Sequence, residues 1–276
     1  MLRQSRSFWA TLFIVCNLAA YGFAKEQEKS PWPDVTTTAR PWTYLWCMGS
    51  AVDRENMVKQ LDGFHDAGLG GIHIIPIYGA KGYESRYIEY LSPKWMEMLQ
   101  YTIEEARKRG MDVDMSLGTG WCFGGPNVTE HESGLRATCK VIDVPAGGKL
   151  ETRFAPGSVY ALIAYDKEGK PKDLTKLIGA TGQVTWKPDS GAWKVYAVSE
   201  KSGRRKVKRA ALGGEGFMLN PFYGVAIDHY LERFTKAFND YKGPRPRAVY
   251  QDSYEYFSEW SPDLFAEFEK RRGYRL

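Results

Sequence analysis

Residues 72–77 narrow the fold more than any other stretch of the chain. Five of these six positions are Ile or Pro, and only His73 is polar. So short and apolar a run is the pattern of a strand buried on both faces, as in parallel sheets covered by helices. Its neighbours agree. Upstream, residues 53–67 place Met57, Val58, Leu61 and Phe64 on one helical face, and Gly68 ends the pattern. Downstream, Ser92 and Pro93 offer an N-cap side chain and a first-turn proline. The helix they open turns Trp95, Met98, Leu99, Thr102, Ile103 and Ala106 inward. It closes on Arg107, Lys108 and Arg109, cations against the dipole, followed by Gly110. Further strands are expected at 42–48, 112–116 and 247–252. Further helices are expected from Asn220-Pro221 to Phe238 and from Ser261-Pro262 onward.

The first three strands start about 30 and 40 residues apart, which suits βα units joined by right-handed crossovers. The fourth starts about 135 residues later, too far for one unit. The excess contains β-rich segments at 159–165, 183–186 and 193–198, separated by the turn signals Lys167-Glu168-Gly169-Lys170 and Pro188-Asp189-Ser190-Gly191. The expected architecture is therefore α/β, of the (β/α)8 TIM-barrel type. About the first four βα units are present, with a small inserted β-domain. The boundaries read as a first barrel part at 25–134, the β-rich insertion at 135–213 and the barrel continuation at 214–276. An eight-fold barrel takes ~250 residues without insertions, so the sequence reads as the N-terminal part of a longer protein.

The first 24 residues read as a secretory signal: Arg3 and Arg6, a mostly apolar stretch from Phe8 to Ala20, then Gly22-Phe23-Ala24 before a cleavage point. The apolar stretch is shorter than the ~20 residues a membrane-spanning helix needs, and no later stretch is apolar enough to span a bilayer. Export to the periplasm or the extracellular space is expected. Cys16 would allow lipidation, but the bulky Val15 before it disfavours that alternative. Formal charge is +5 overall, of which Arg3 and Arg6 supply two. So small an excess argues for no nucleic-acid partner. Cys47, Cys122 and Cys139 follow the signal. Their odd number and the lack of a CxxC pair exclude a disulfide framework and a thiolate zinc site. His65, His73, His131 and His229 show no metal-ligand spacing, and no metal ligand set can be named.

In a parallel βα scaffold, reactive groups lie just past the C-terminal ends of the strands. Trp46, Cys47 and Met48 close the first strand. Tyr78, Lys81, Tyr83 and Glu84 follow the second. Gly118-Thr119-Gly120-Trp121-Cys122-Phe123-Gly124-Gly125 follows the third, and Asp252, Tyr254, Glu255 and Tyr256 follow the fourth. Aromatic faces can stack on sugar rings and carboxylates can bind hydroxyls, whereas no Gly-Lys-Ser/Thr loop offers to cradle phosphate. The glycine string has a second reading as a tight turn with close backbone packing; it opens no helix, which disfavours a dinucleotide site. Lys81 and Glu84 are either sugar contacts or an exposed ion pair. The cations at 201–209 read as a solvated hairpin edge of the insertion. Glu255 is the catalytic candidate, because tyrosines crowding a carboxyl group would desolvate it towards a general acid. Trp46, Tyr78, Lys81, Glu84, Trp121, Asp252 and Tyr254 are candidate substrate contacts.

Several of these stretches together resemble glycoside hydrolase family 106, the α-L-rhamnosidases: PWTYLWCMGSAVDREN at 41–56, GGIHIIPIYGAKGYE at 70–84, YLSPKWMEML at 90–99, DVDMSLGTGWCFGGP at 112–126 and QDSYEYFSEWSPDLFAEFEKRRGY at 251–274. The resemblance implies a (β/α)8 catalytic domain that removes terminal α-L-rhamnose from plant-type glycans. It also implies inversion at the anomeric carbon and a calcium ion near the sugar. Cys47 and Cys122 stand where the family pattern more often has Trp and Pro, which would alter the fit to substrate. Inverting hydrolysis uses two carboxyl groups. Glu255 matches one, with a lean towards the acid, and the sequence ends before the second is reached, so this polypeptide is expected to be inactive alone. The alternative is a sugar-binding or degenerate relative without turnover.

Overall fold

The computed structural model describes residues 32–251 and 254–276. The expected signal at 1–24 and the candidate Asp252 lie outside them. The chain divides into two units, residues 1–36 and residues 37–276, and the elements below belong to the second. In chain order they begin with β1 (Trp42–Met48), α1 (Arg54–Asp66), β2 (Gly71–Ile77), α2 (Pro93–Lys108) and β3 (Asp112–Ser116). Then come β4 (Gly124–Gly125), β5 (Leu135–Val144), β6 (Leu150–Arg153), β7 (Val159–Tyr165), β8 (Pro171–Asp173), β9 (Gln183–Trp186), β10 (Trp193–Ser202) and β11 (Phe217–Met218). The last are α3 (Gly224–Asn239), β12 (Val249–Tyr250) and α4 (Leu264–Arg272).

β1, β2, β3 and β12 form one parallel sheet in that order. Alternation sorts its side chains. Leu45, Cys47, Ile72, Ile74, Val113 and Met115 enter one apolar cluster with Met57 and Leu61 of α1, Leu99 and Ile103 of α2, and Tyr230 and Phe234 of α3. Truncating a side chain as enclosed as Leu61 costs ~2–5 kcal/mol. The opposite face carries Tyr44 beside His73 and Trp46 beside Ile75, then Asp114, Ser116 and Tyr250. The helix ends follow their local chemistry. The Asp53 side chain accepts from the Asn56 N–H at the start of α1, and Ser92 accepts from the Trp95 N–H at the start of α2.

The parallel sheet holds the four strands expected of the first four βα units, and it is open. β1 and β12 form its two edges, and no strand among the described residues joins them. Four strands are half of what closure at this diameter requires. The fourth strand is also shorter than expected, Val249–Tyr250 instead of 247–252. Pro244 and Pro246 supply no N–H just before it; the Arg247 N–H still reaches β3 at the Val113 carbonyl (2.8 Å), and its guanidinium holds Asp114 (2.6 Å). α3 begins at Gly224 and not at Asn220-Pro221, because Asn220 is fully buried and bound elsewhere. Its amide donates to the Trp260 carbonyl (2.8 Å), and its oxygen accepts from the Phe222 N–H (3.1 Å) and the Ser258 hydroxyl (2.8 Å).

Residues 135–202 build an antiparallel sheet in the order β5-β10-β7-β8 and a separate ribbon of β6 and β9. Val144, Leu162, Ala164, Val184, Trp186, Val195 and Ala197 close their own apolar cluster, which shares no residue with the one behind the parallel sheet.

Candidate active site

The site is built where the chain leaves the parallel strands. Trp46, near the end of β1, and Trp121, beyond β3, meet edge to face with ring centroids 6.0 Å apart. Both are partly open to solvent, so each offers ring surface to a ligand. The Tyr256 hydroxyl accepts from the Phe123 N–H at 3.0 Å, and burial pushes the phenol up. Tyr254 lies edge-on to Tyr256 (5.0 Å) and is largely exposed.

Glu255 does not sit in the tyrosine cover expected of it. Its side chain is 52% exposed and accepts from Lys208 Nζ at 2.7 Å. Lys208 belongs to the cationic run that reads in the sequence as a solvated hairpin edge. In the structure that run leaves β10 and returns across the strand ends. Lys208 and Trp121 exchange both backbone hydrogen bonds (3.0 and 3.1 Å), the Tyr78 N–H donates to the Arg209 carbonyl (2.9 Å), and the Ala211 N–H donates to the Thr119 hydroxyl (3.1 Å). The Arg209 guanidinium lies 4.9 Å from the centre of the Tyr78 ring. Lys208 and Arg209 are thus the site residues that sequence reasoning missed. The only available signal was topological: a chain leaving an insertion must cross the strand ends to reach the next helix.

The glycine string at 118–125 takes the close-packing reading at two positions. Gly120 has φ +57°, and a Cβ there would fall 1.9 Å from the Lys208 carbonyl oxygen. Gly124 pairs with Met218, and a Cβ would fall 2.2 Å from the Phe217 carbonyl oxygen. The glycines let the returning segment lie directly on the loop after β3.

The other candidates are less convergent. Glu84 folds back on its own turn, accepting from the Gly82 N–H (2.9 Å), and backbone N–H groups hold its carboxyl below the usual range. Lys81 is exposed, and the two do not pair. Cys47 is corrected from a substrate-fitting position to a core one. It faces the helices in the apolar cluster, and burial pushes its thiol up to about 12. Cys122 is also buried. Among the described residues no group of three or more His, Cys, Asp or Glu side chains converges. Surface depressions of about 850 Å³ around Glu97 and Arg233 and about 640 Å³ around Tyr165 and Trp193 lie away from Glu255. The site is an open shelf on an open sheet.

An α/β scaffold carrying paired indoles, tyrosines and an ion-paired carboxylate at its strand ends has the make-up of a carbohydrate-active domain. The family model for α-L-rhamnosidase matches residues 33–169 and 167–276. The chain belongs to glycoside hydrolase family 106. A protein of Formosa agariphila named "Putative beta-glucuronidase" is 21% identical over 88% of this chain and 25% of its own length. The rhamnosidase from Novosphingobium sp. PP1Y shares the fold at 14% identity with a TM-score of 0.68, over 88% of this chain and 41% of that one. The chain therefore spans about a quarter of the first relative and under half of the second.

Proposed function

We propose that residues 37–276 contribute the first part of a (β/α)8 catalytic domain that hydrolyses terminal α-L-rhamnose from plant-type glycans by an inverting, two-carboxylate route. The observation that carries the reading is Glu255, presented with Lys208 beside the Trp46–Trp121 pair. Glu255 is one carboxylate of the catalytic pair and gives its proton to the leaving oxygen. The second, ~6.5–9.5 Å away, activates water on the opposite face of the sugar. Lys208 Nζ donates to Glu255 at 2.7 Å and fixes the carboxyl group at the strand ends. Calcium accompanies the reading through the family resemblance alone, and no step is routed through it. Residues 1–24 carry the protein out of the cytoplasm in this reading, and the exported form begins at Lys25. N-terminal sequencing of exported protein checks this, and recovery of Met1 in the cytosol would refute it.

The catalytic test uses the enzyme at the length of its relatives, with aryl α-L-rhamnosides as substrates. Glu255→Gln keeps the shape and removes the titrating group, so turnover should fall by ~10²–10⁴-fold with folding intact. If Glu255 is the acid, the loss shrinks on a substrate with a very good leaving group, which needs little protonation. Loss of equal size on good and poor leaving groups makes it the base. Activity within about threefold of wild type on a poor leaving group, against that ~10²-fold floor, would remove Glu255 from the mechanism.

A further inference from the structure

We propose that the inserted β-domain carries a second, non-catalytic glycan site: a cleft lined by Tyr165, Trp193 and Tyr196 that takes a neutral oligosaccharide and anchors the polymer. Its use as an anchor rests on the glycosidase reading above; the binding itself does not.

The cleft, about 640 Å³, lies where the end of β5, the end of β7 and the start of β10 meet. Register puts Asp143, Lys194 and Tyr165 in one row across the antiparallel sheet, and Val141, Tyr196 and Ile163 in the next row on the same face. Its parts are fixed from within. Tyr165 and Tyr196 meet edge to face with ring centroids 5.7 Å apart. The Trp193 indole N–H donates to the Ser190 carbonyl (2.9 Å), and its ring meets Trp186 edge to face at 5.4 Å. At the rim, Asp166 Oδ1 accepts from the Glu168 and Lys170 N–H groups (3.0 and 2.8 Å), which locks the turn after β7. A lining held this way is formed before a ligand arrives, so little ordering entropy is lost on binding. The cleft is also remote from the barrel part. β10 runs ten residues from Trp193 to Ser202, beyond which the Gly203 N–H donates to the Gly134 carbonyl (3.0 Å). At ~3.3 Å per residue the strand spans ~30 Å.

Size and charge select the ligand class. The volume falls within the ~300–1,000 Å³ of small-ligand sites. A stable protein interface needs ~800 Å² per partner around a core depleted of charge, and Asp143 and Lys194 interrupt the apolar surface here. Two carboxylates, Asp143 and Asp166, and two ammonium groups, Lys167 and Lys194, line the cleft. Both ammonium groups are already met, Lys194 by Asp143 at 2.9 Å and Lys167 by Glu168 at 3.4 Å. The lining charges cancel, so neither an anion nor a cation is favoured. What remains for recognition is aromatic surface for the C–H face of a ring, bordered by charged and phenolic groups that bind hydroxyls. That is the chemistry of a neutral sugar.

Titration of this chain with cellotetraose, a galactan tetrasaccharide and trigalacturonate, followed by NMR at the Trp193 indole N–H, tests the proposal. At least one neutral tetrasaccharide should shift that signal saturably, the acidic trimer should not, and excess L-rhamnose should not reverse the shift. Tyr165→Ala should weaken the binding about tenfold or more, since one covered aromatic ring contributes on that scale. Tyr165→Leu, which keeps apolar bulk in the strand, should do the same if the Ala variant folds poorly. No saturable shift with either neutral tetrasaccharide, equal binding of the acidic trimer, displacement by L-rhamnose, or unchanged binding in a folded Tyr165 variant would overturn it. Binding here together with a failed Glu255 test would remove the anchoring role and leave the site standing.

Discussion

A pair of glycine substitutions separates the left-handed strain of the active-site loop from its close packing. Gly110 and Gly120 have nearly the same φ, +63° and +57°. A Cβ at Gly110 meets nothing within 4 Å, while one at Gly120 falls 1.9 Å from the Lys208 carbonyl oxygen and 2.7 Å from the Arg209 carbonyl carbon. Gly110→Ala therefore carries the left-handed cost alone, ~1–2 kcal/mol, partly offset by the ~0.4–1 kcal/mol that alanine removes from unfolded-chain entropy. The net is about 1 kcal/mol. Gly120→Ala carries the same net strain plus ~1–3 kcal/mol for forcing backbone off backbone, about 2–4 kcal/mol in all. For a chain of this size, thermal unfolding should fall by about 3 °C in the first variant and about 10 °C in the second. Near-ultraviolet circular dichroism, sensitive to the Trp46–Trp121 pair, should change only in Gly120→Ala. Equal melting shifts with unchanged dichroism in both would refute the claim that the returning segment rests on Gly120.

Two further outcomes follow from buried polar groups. Asn220→Ala removes the side chain that bonds Trp260, Phe222 and Ser258, and should cost about 2–3 kcal/mol by urea unfolding, since buried partners are left unmet; a loss below 0.5 kcal/mol, under the ~1–3 expected, would show the junction to be held by something else. His73 is held below its ordinary 6.5 by burial first, with Asp114 opposing and Arg247 reinforcing, and Tyr44 and Tyr250 are the rings against it. Its folded form resists the proton that the unfolded form takes up, so this contribution to stability is whole above about pH 6.5 and is lost as pH falls towards the folded value. His73→Gln should flatten the fall in urea midpoint between pH 7 and pH 5, and parallel slopes for variant and wild type would refute the assignment.

How much of this was legible in the sequence depends on how local each cause is. β1, α2 and β3 lie where the apolar pattern and the Ser92-Pro93 start signal put them, because a strand's alternation and a helix's cap are written within a few residues. The start of α3 was not legible, since Asn220 looks like a cap and acts as a tie to Trp260, 40 residues on. The length of β12 was lost to two prolines just before it. The site divides the same way. Trp46, Tyr78, Trp121 and Glu255 follow from the rule that chemistry lies past strand ends, since each is adjacent in sequence to its strand. Lys208 and Arg209 are more than 80 residues from any strand of the parallel sheet that precedes them. Their charges alone suggest only a solvated edge. What brings them onto the shelf is a ladder to Trp121, a bond to Tyr78 and a glycine with room beneath them, three contacts made by two segments far from them in sequence. The insertion is thus tied to the site by its exit: its final residues form the wall that holds the ion pair to Glu255, and changes in the length of residues 203–213 should act on that carboxylate before they act on the insertion's own core.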